Sequence, residues 1–417
     1  MPTSDSASCF VYLQLPRSME VVTCGRFVQQ EGVGRFVYGK SYLANPRAVE
    51  LEKFELPLRP GTFETARLGG IFGALRDASP DAWGRRIIEC QRGRGDLTEV
   101  DFLLHSPEDR VGALSFGQSP TPPAPIHPFN QVLHLDLLLE AADQLEQGLS
   151  PSTGQGLELM NPGTALGGAR PKNVVEDGVD LWVAKFPSRS DRWNNAAVEG
   201  GMLKLARECG LKSAFSKVLT VAGRSVLLVR RFDRRRADEG YLRHRMVSAL
   251  TVLRADENPQ DRSKWSYLLL ADELKRWVAN PDEDLRELFS RMVFNALISN
   301  IDDHPRNHAL TAAGSEWNLS PAYDLTPMPQ VSTERDLAME VGSLQHRRAN
   351  RRNLLSACGR FRLSREDATR LIDTMKALVS RRWRDVVTSC GGTEADLKAI
   401  ERAFDSPGFE YGSDSPG

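Results

Sequence analysis

The sequence is short of several features that would each point to a class of protein. Its six cysteines (Cys9, Cys24, Cys90, Cys209, Cys358, Cys390) lie far apart, with no C-x-x-C pair. That spacing excludes a disulfide framework or a zinc finger and fits reduced thiols in a large chain. No apolar run approaches the roughly 18 residues of a membrane span. No sign of charge prevails: 54 Lys and Arg face 55 Asp and Glu, a formal net charge of −1. Global charge therefore favours neither nucleic acid nor a membrane surface, and any basic patch must be local. Residues 1–10 lack a basic start followed by an apolar core, so no signal peptide is expected. What is left, at 417 residues with 41% hydrophobic and 26% charged, reads as a soluble, cytoplasmic globular protein of two or three domains.

Short β-branched and aromatic runs at Phe10–Leu15 and Arg35–Tyr38, punctuated by Gly25, Gly32, Gly34 and Gly39, predict a β-rich start. Ser79-Pro80 precedes a short helix over 81–90. Five prolines within 119–128 block helix and interior strand and mark a linker. Beyond it, strands are predicted over 181–186 and 225–232, and a helix over 196–210 ended by Gly210. Further helices are predicted over 267–278, 284–298, 365–379 and 395–404. The expected organisation is a β-rich domain at 1–118, a linker at 119–128, a strand-bearing lobe at 129–235, a helical lobe at 236–405 and a disordered tail at 406–417.

The sharpest stretch is Ile301-Asp-Asp-His-Pro-Arg-Asn-His308, directly after an apolar helix. A polar turn capping that helix is the plainest reading. Zinc on His304 and His308 is a second, but Pro305 disrupts the helix that spacing needs, and no third ligand stands near. A third reading takes in Ser320-Pro-Ala-Tyr-Asp-Leu325. In phosphoryl transfer an Asp accepts the hydroxyl proton, an Asn five residues on binds magnesium, and an Asp in a later loop does the same. Asp302, Asn307 and Asp324 fit that order; Asp303 would give a spacing of four. The same reading needs a phosphate-cradling Gly loop, met by Gly167-Gly168-Ala169-Arg170-Pro171-Lys172. It needs a strand lysine, met by Lys185, with Glu199 on the next helix as its ion partner. A hinge that contacts adenine through backbone groups falls at Arg230-Arg231-Phe232. Each piece alone has an ordinary structural reading; their N-to-C order is what joins them.

These residues carry a resemblance. Gly167–Lys172, Val183–Pro187, Arg231–Asp233, Asp302–Asn307 and Pro321–Leu325 are similar to motifs of the HipA family, serine/threonine kinase toxins of bacterial toxin–antitoxin pairs. Phe36–Tyr38, Tyr42-Leu43 and Ser79–Arg85 look like the domain preceding its kinase core. The resemblance covers roughly residues 10–390. It implies an α+β, two-lobed protein-kinase-like fold, with a β-rich N-terminal domain and a mostly helical C-terminal lobe. It implies ATP and Mg2+ as cofactors, Asp302 as catalytic base, Asn307 and Asp324 as metal ligands, and His304, Arg306 and Tyr323 beside the nucleotide. It further implies a small helix-turn-helix antitoxin as partner, DNA contact through that complex, no membrane, and a protein substrate such as an aminoacyl-tRNA synthetase. Where some members carry an autophosphorylated serine before the Gly loop, this chain has Ala165, with Thr164 adjacent as a candidate. Neither Gly-x-Gly-x-x-Gly nor His-Arg-Asp occurs.

A small-molecule phosphotransferase and a catalytically idle corepressor are the rival readings. Residues 341–390 hold twelve Lys and Arg against four Asp and Glu. That excess reads as a solvated helical face or as a surface for an acidic partner or DNA.

Overall fold

A computed structural model describes residues 7–92, 97–106, 109–123, 129–148, 170–258, 260, 262–344, 346–405 and 407–410. The chain divides into two units. The first comprises residues 1–188, 231–251 and 310–317; the second, 189–230, 252–309 and 318–417. The Pro-rich stretch thus falls inside the first unit, and residues 124–128 of it, like 411–417 of the tail, lie outside the described residues.

The first unit opens with strands β1 (Ala7–Gln14), β2 (Val21–Gln30), β3 (Val33–Tyr38), β4 (Thr62–Thr65) and β5 (Leu114–Gly117), in the sheet order β4-β3-β2-β1-β5. Period-two patterning explains it: along β3 Phe36 and Tyr38 face inward while Arg35 and Val37 face out. Phe27, Phe36, Phe63, Val11 and Leu13 join Ile71, Phe72 and Leu75 in one core, each large side chain contributing about 1.5–3 kcal/mol. Gly34 is required at its position, since a Cβ there would stand 2.0 Å from the Gly70 carbonyl. The unit continues through β6 (Asn130–Gln131), which pairs in parallel with β7 (Lys172–Asp177); β7 pairs antiparallel with β8 (Asp180–Lys185).

The second unit holds the hairpin of β9 (Ser216–Val221) and β10 (Arg224–Arg230) and helices Asn195–Glu208, Tyr267–Trp277, Pro281–Leu297, Arg365–Ser389 and Glu394–Phe404. Helix Pro281–Leu297 starts with Pro281 and a first turn of Asp282, Glu283 and Asp284, which suits its positive end. It is buried almost all round from Leu285 onward, as expected of a central helix. Gly201 lets helices Asn195–Glu208 and Arg365–Ser389 approach closely, because a Cβ there would meet the Val387 backbone at 3.0 Å. No described helix is long and apolar enough to cross a membrane. The whole is α+β, strand-rich in its N-terminal region and helical in its C-terminal region.

Candidate active site

The end of helix Pro281–Leu297 builds the site. Ser299 adopts a left-handed φ of +52° and is fully buried; its hydroxyl donates to the Ala403 carbonyl at 2.6 Å. That turn sends the chain into residues 300–308, which close on themselves. The Asp302 carbonyl accepts from His304 N at 2.9 Å and from Asn307 Nδ2 at 3.1 Å. His304 caps the short 3-10 turn Pro305–Asn307 by accepting from Arg306 N at 3.2 Å. With Nδ2 of Asn307 so engaged, its Oδ1 is the atom left for a cation. Asp302 is exposed, and its carboxylate has no hydrogen-bond partner among the described residues. Asp303 is the opposite, 1% exposed and bonded to His308.

Asp324 is held against this loop by two bonds: Tyr323 Oη donates to the Arg306 carbonyl at 2.7 Å, and Asn300 Nδ2 to the Asp324 carbonyl at 3.3 Å. Its φ is +54°, a conformation Asp tolerates better than most side chains. Such outliers concentrate where a site over-determines its backbone. The structure therefore brings Asp302, His304, Arg306, Asn307, Tyr323 and Asp324 together within the second unit. The oxygens of Asn307 and Asp324 are hard donors that suit magnesium, which takes one or two carboxylates and completes its shell with water and phosphate. Zinc fits poorly: no described group of three or more His, Cys, Asp or Glu side chains forms a metal cluster. His304 Nδ1 and His308 Nε2 also already have partners.

Residues 18–117 match the HipA N-terminal domain and residues 164–383 the HipA-like C-terminal domain, the latter more than half of the chain. The chain belongs to the HipA family. Among relatives, the Sinorhizobium fredii protein named "Putative kinase Y4mE" is 24% identical over 353 residues, 76% of this chain and 78% of that one. A chain from the Shewanella oneidensis toxin–antitoxin complex of HipA, HipB and operator DNA superposes with a TM-score of 0.69. It is 16% identical and spans 95% of each chain, a likeness of fold.

Other expected site residues of this HipA-family chain fall as follows. Gly167, Gly168, Ala169, Thr164 and Ala165 lie outside the described residues. Arg170 is exposed, and Lys185 is half-buried at the end of β8. Glu199 is buried in helix Asn195–Glu208, and Arg230 is exposed at the end of β10. Lys172 differs from its expected role as a phosphate contact. It is 1% exposed, and its ammonium lies 2.6 Å from Asp81, whose other oxygen accepts from Gly84 N. Trp83 Nε1 donates to the Lys172 carbonyl at 3.1 Å. The reason lies in register: Lys172 stands directly opposite Lys185, and like charges so paired repel unless one is neutralised. Lys172→Met should lower stability by about 2–3 kcal/mol, since it strands a buried carboxylate. A urea midpoint equal to wild type would contradict that.

At the expected hinge, Arg231 N–H donates to Leu181 O at 2.8 Å and Arg230 N–H to Phe215 O at 2.8 Å, so these two amides are already engaged. The Arg231 side chain is buried on Asp233 (2.8 Å) and on the carbonyls of Asp109 and Arg110. Arg231-Phe-Asp233 is thus a staple to the loop at 109–112, completed by Arg234. Phe232 is half-buried between them. In the basic stretch 341–390, Arg348 pairs with Asp336, Arg351 with Asp373, Arg382 with Glu208 and Arg384 with Glu401. Those four arginines are engaged in ion pairs with at least one partner open to solvent, where such pairs add little to stability.

Proposed function

We propose that this protein is a magnesium- and ATP-dependent protein kinase that phosphorylates serine or threonine hydroxyls of a cellular protein as the toxin of a toxin–antitoxin pair. The observation that carries it is the loop pair just described: an exposed, unpaired Asp302 on the same closed turn as Asn307, with Asp324 tied to that turn. Magnesium-bound ATP supplies the transferable phosphoryl group and neutralises its charge. This chain's residues orient and move the proton. Asp302 accepts it from the substrate hydroxyl, the oxygens of Asn307 and Asp324 hold the cation, and His304 and Arg306 border the phosphate. Lys185 is the proposed phosphate-orienting lysine, and Thr164 a candidate for self-phosphorylation.

The names of similar proteins support the partners proposed. One is called a kinase, and one was solved with HipB and operator DNA. A small DNA-binding antitoxin, DNA contact through it, and an aminoacyl-tRNA synthetase as substrate follow as proposals. Incubation of the chain with γ-labelled ATP, magnesium and a cell extract is expected to label protein on Ser or Thr. Label appearing only in added small alcohols would instead identify a small-molecule phosphotransferase.

A further inference from the structure

Asp303 and His308 bracket the candidate loop, one following Asp302 and the other following Asn307. His308 Nε2 lies 2.8 Å from Asp303 Oδ1, and Tyr267 Oη donates to Oδ2 of the same carboxylate. Asn295 Nδ2 donates to Tyr267 Oη at 3.0 Å, and Asn300 Nδ2 donates to Asn295 Oδ1 at 3.1 Å. Asn300 Nδ2 also reaches the Asp324 carbonyl at 3.3 Å. One unbroken run of side-chain hydrogen bonds therefore links the Asp324 turn to both ends of the loop bearing Asp302 and Asn307. No member is more than 2% exposed.

Holding a helix end and a loop together does not call for five buried polar side chains. An apolar set of similar shape does so without desolvating a carboxylate. A polar network instead fixes one geometry, because its bonds are directional; in this one His308 Nδ1 alone of the five side chains' buried polar atoms lacks a partner among the described residues. Both arms of this one end on backbone that carries proposed ligands, and neither ends in solvent. Asn295 is 1% exposed within helix Pro281–Leu297. The asparagine there is explained by its two network bonds.

We infer that Tyr267, Asn295, Asn300, Asp303 and His308 are positioning residues that hold the proton acceptor Asp302 at a fixed separation from Asn307 and Asp324. The inference rests on the phosphoryl-transfer reading above. It assigns Asp303 a task different from that of its neighbour, although the two acids are chemically identical.

The test uses the full chain with two variants. Tyr267→Phe keeps the ring and removes the hydroxyl shared by Asp303 and Asn295; Asn300→Ser shortens only the arm to Asp324. Rates of phosphate transfer are measured against magnesium concentration, the Kd of ATP in magnesium by calorimetry, and thermal unfolding without nucleotide. Each variant is expected to lower kcat about ten- to a hundredfold, the scale of a misplaced reacting group. Each should also raise the magnesium concentration at half-maximal rate. The Kd should weaken most in Asn300→Ser. A purely structural role would shift the unfolding temperature and leave the magnesium dependence of the folded protein at its wild-type value. An active wild type whose variants keep its kcat and magnesium dependence overturns the inference alone. A wild type that neither binds ATP with magnesium nor transfers phosphate overturns the kinase reading beneath it.

Discussion

Asp302→Asn is expected to reduce phosphate transfer by about 10²–10⁴-fold, the usual contribution of a positioned general base, while leaving the binding of ATP with magnesium close to wild type. The separation of the two effects follows from the loop. What fixes residue 302 is its carbonyl, which accepts from His304 N and Asn307 Nδ2; its carboxylate is exposed and unbonded. Asparagine therefore inherits the backbone and loses only the ability to take a proton. Asp303→Asn is a different experiment, because that carboxylate already accepts from Tyr267 and faces His308. Steady-state kinetics with a labelled protein substrate, paired with calorimetry, checks the split. Transfer unchanged in Asp302→Asn would remove this residue from the chemistry.

Asp233→Ala should destabilise the first unit by about 3–5 kcal/mol, the range for removing one partner of a buried charge set. Asp233 is 1% exposed and accepts from Arg231, Arg234 and the Gly112 N–H. Its loss strands two buried guanidiniums. Burial alone would raise the Asp233 carboxyl, but Arg231 and Arg234 outweigh that and hold it well below the usual carboxylate range. The sign of the pH dependence follows. The unfolded carboxyl titrates near 3.9, and the folded one lower. The stabilisation is therefore complete above about pH 4–5 and is lost as pH falls toward the folded value. Asp109 moves the other way, since burial raises it despite the arginines around it, so a comparison with the variant is needed to isolate Asp233. Urea unfolding at pH 7 and at pH 3 should show the gap between wild type and Asp233→Ala narrowing in acid. A gap that widens, or a variant as stable as wild type at pH 7, would contradict the assignment.

How legible these features are in the sequence depends on how far apart their parts lie. Local signals are clear: Gly210 ends its helix with a φ of +84°, and the apolar run before Ile301 is a buried helix leading into the polar loop. The helix expected over 365–379 continues to Ser389. The arginines at 381, 382 and 384 interrupt its polarity pattern, but Trp383, Val386 and Val387 continue the buried stripe of Met375 and Val379. Strand β7 was hidden because Lys172 and Asn173 look like the end of a Gly-rich loop. Only Asp81, ninety-one positions upstream, makes that lysine a core residue. The same distance problem conceals the Arg231–Asp233 staple, whose carbonyl acceptors are at 109 and 110. Of the polar network, the sequence displays Asp303 and His308 and gives no sign of Tyr267 or Asn295, which are ordinary helix residues until the fold brings them together. Spacing to Asn307 favours Asp302 over Asp303, and the structure leaves Asp302 exposed and Asp303 buried.

Asp324 and Asn307 are proposed to form a magnesium-dependent nucleotide site beside Asp302. Calorimetric titration of ATP into the purified full chain, with and without magnesium, tests it most directly when Asp324→Asn is run alongside. Asparagine keeps the left-handed backbone at 324 comfortable and removes the charge, so a folding defect is not expected to confuse the result. Binding that requires magnesium and loses that requirement, or disappears, in Asp324→Asn is the predicted outcome. ATP binding indifferent both to magnesium and to the substitution would contradict it.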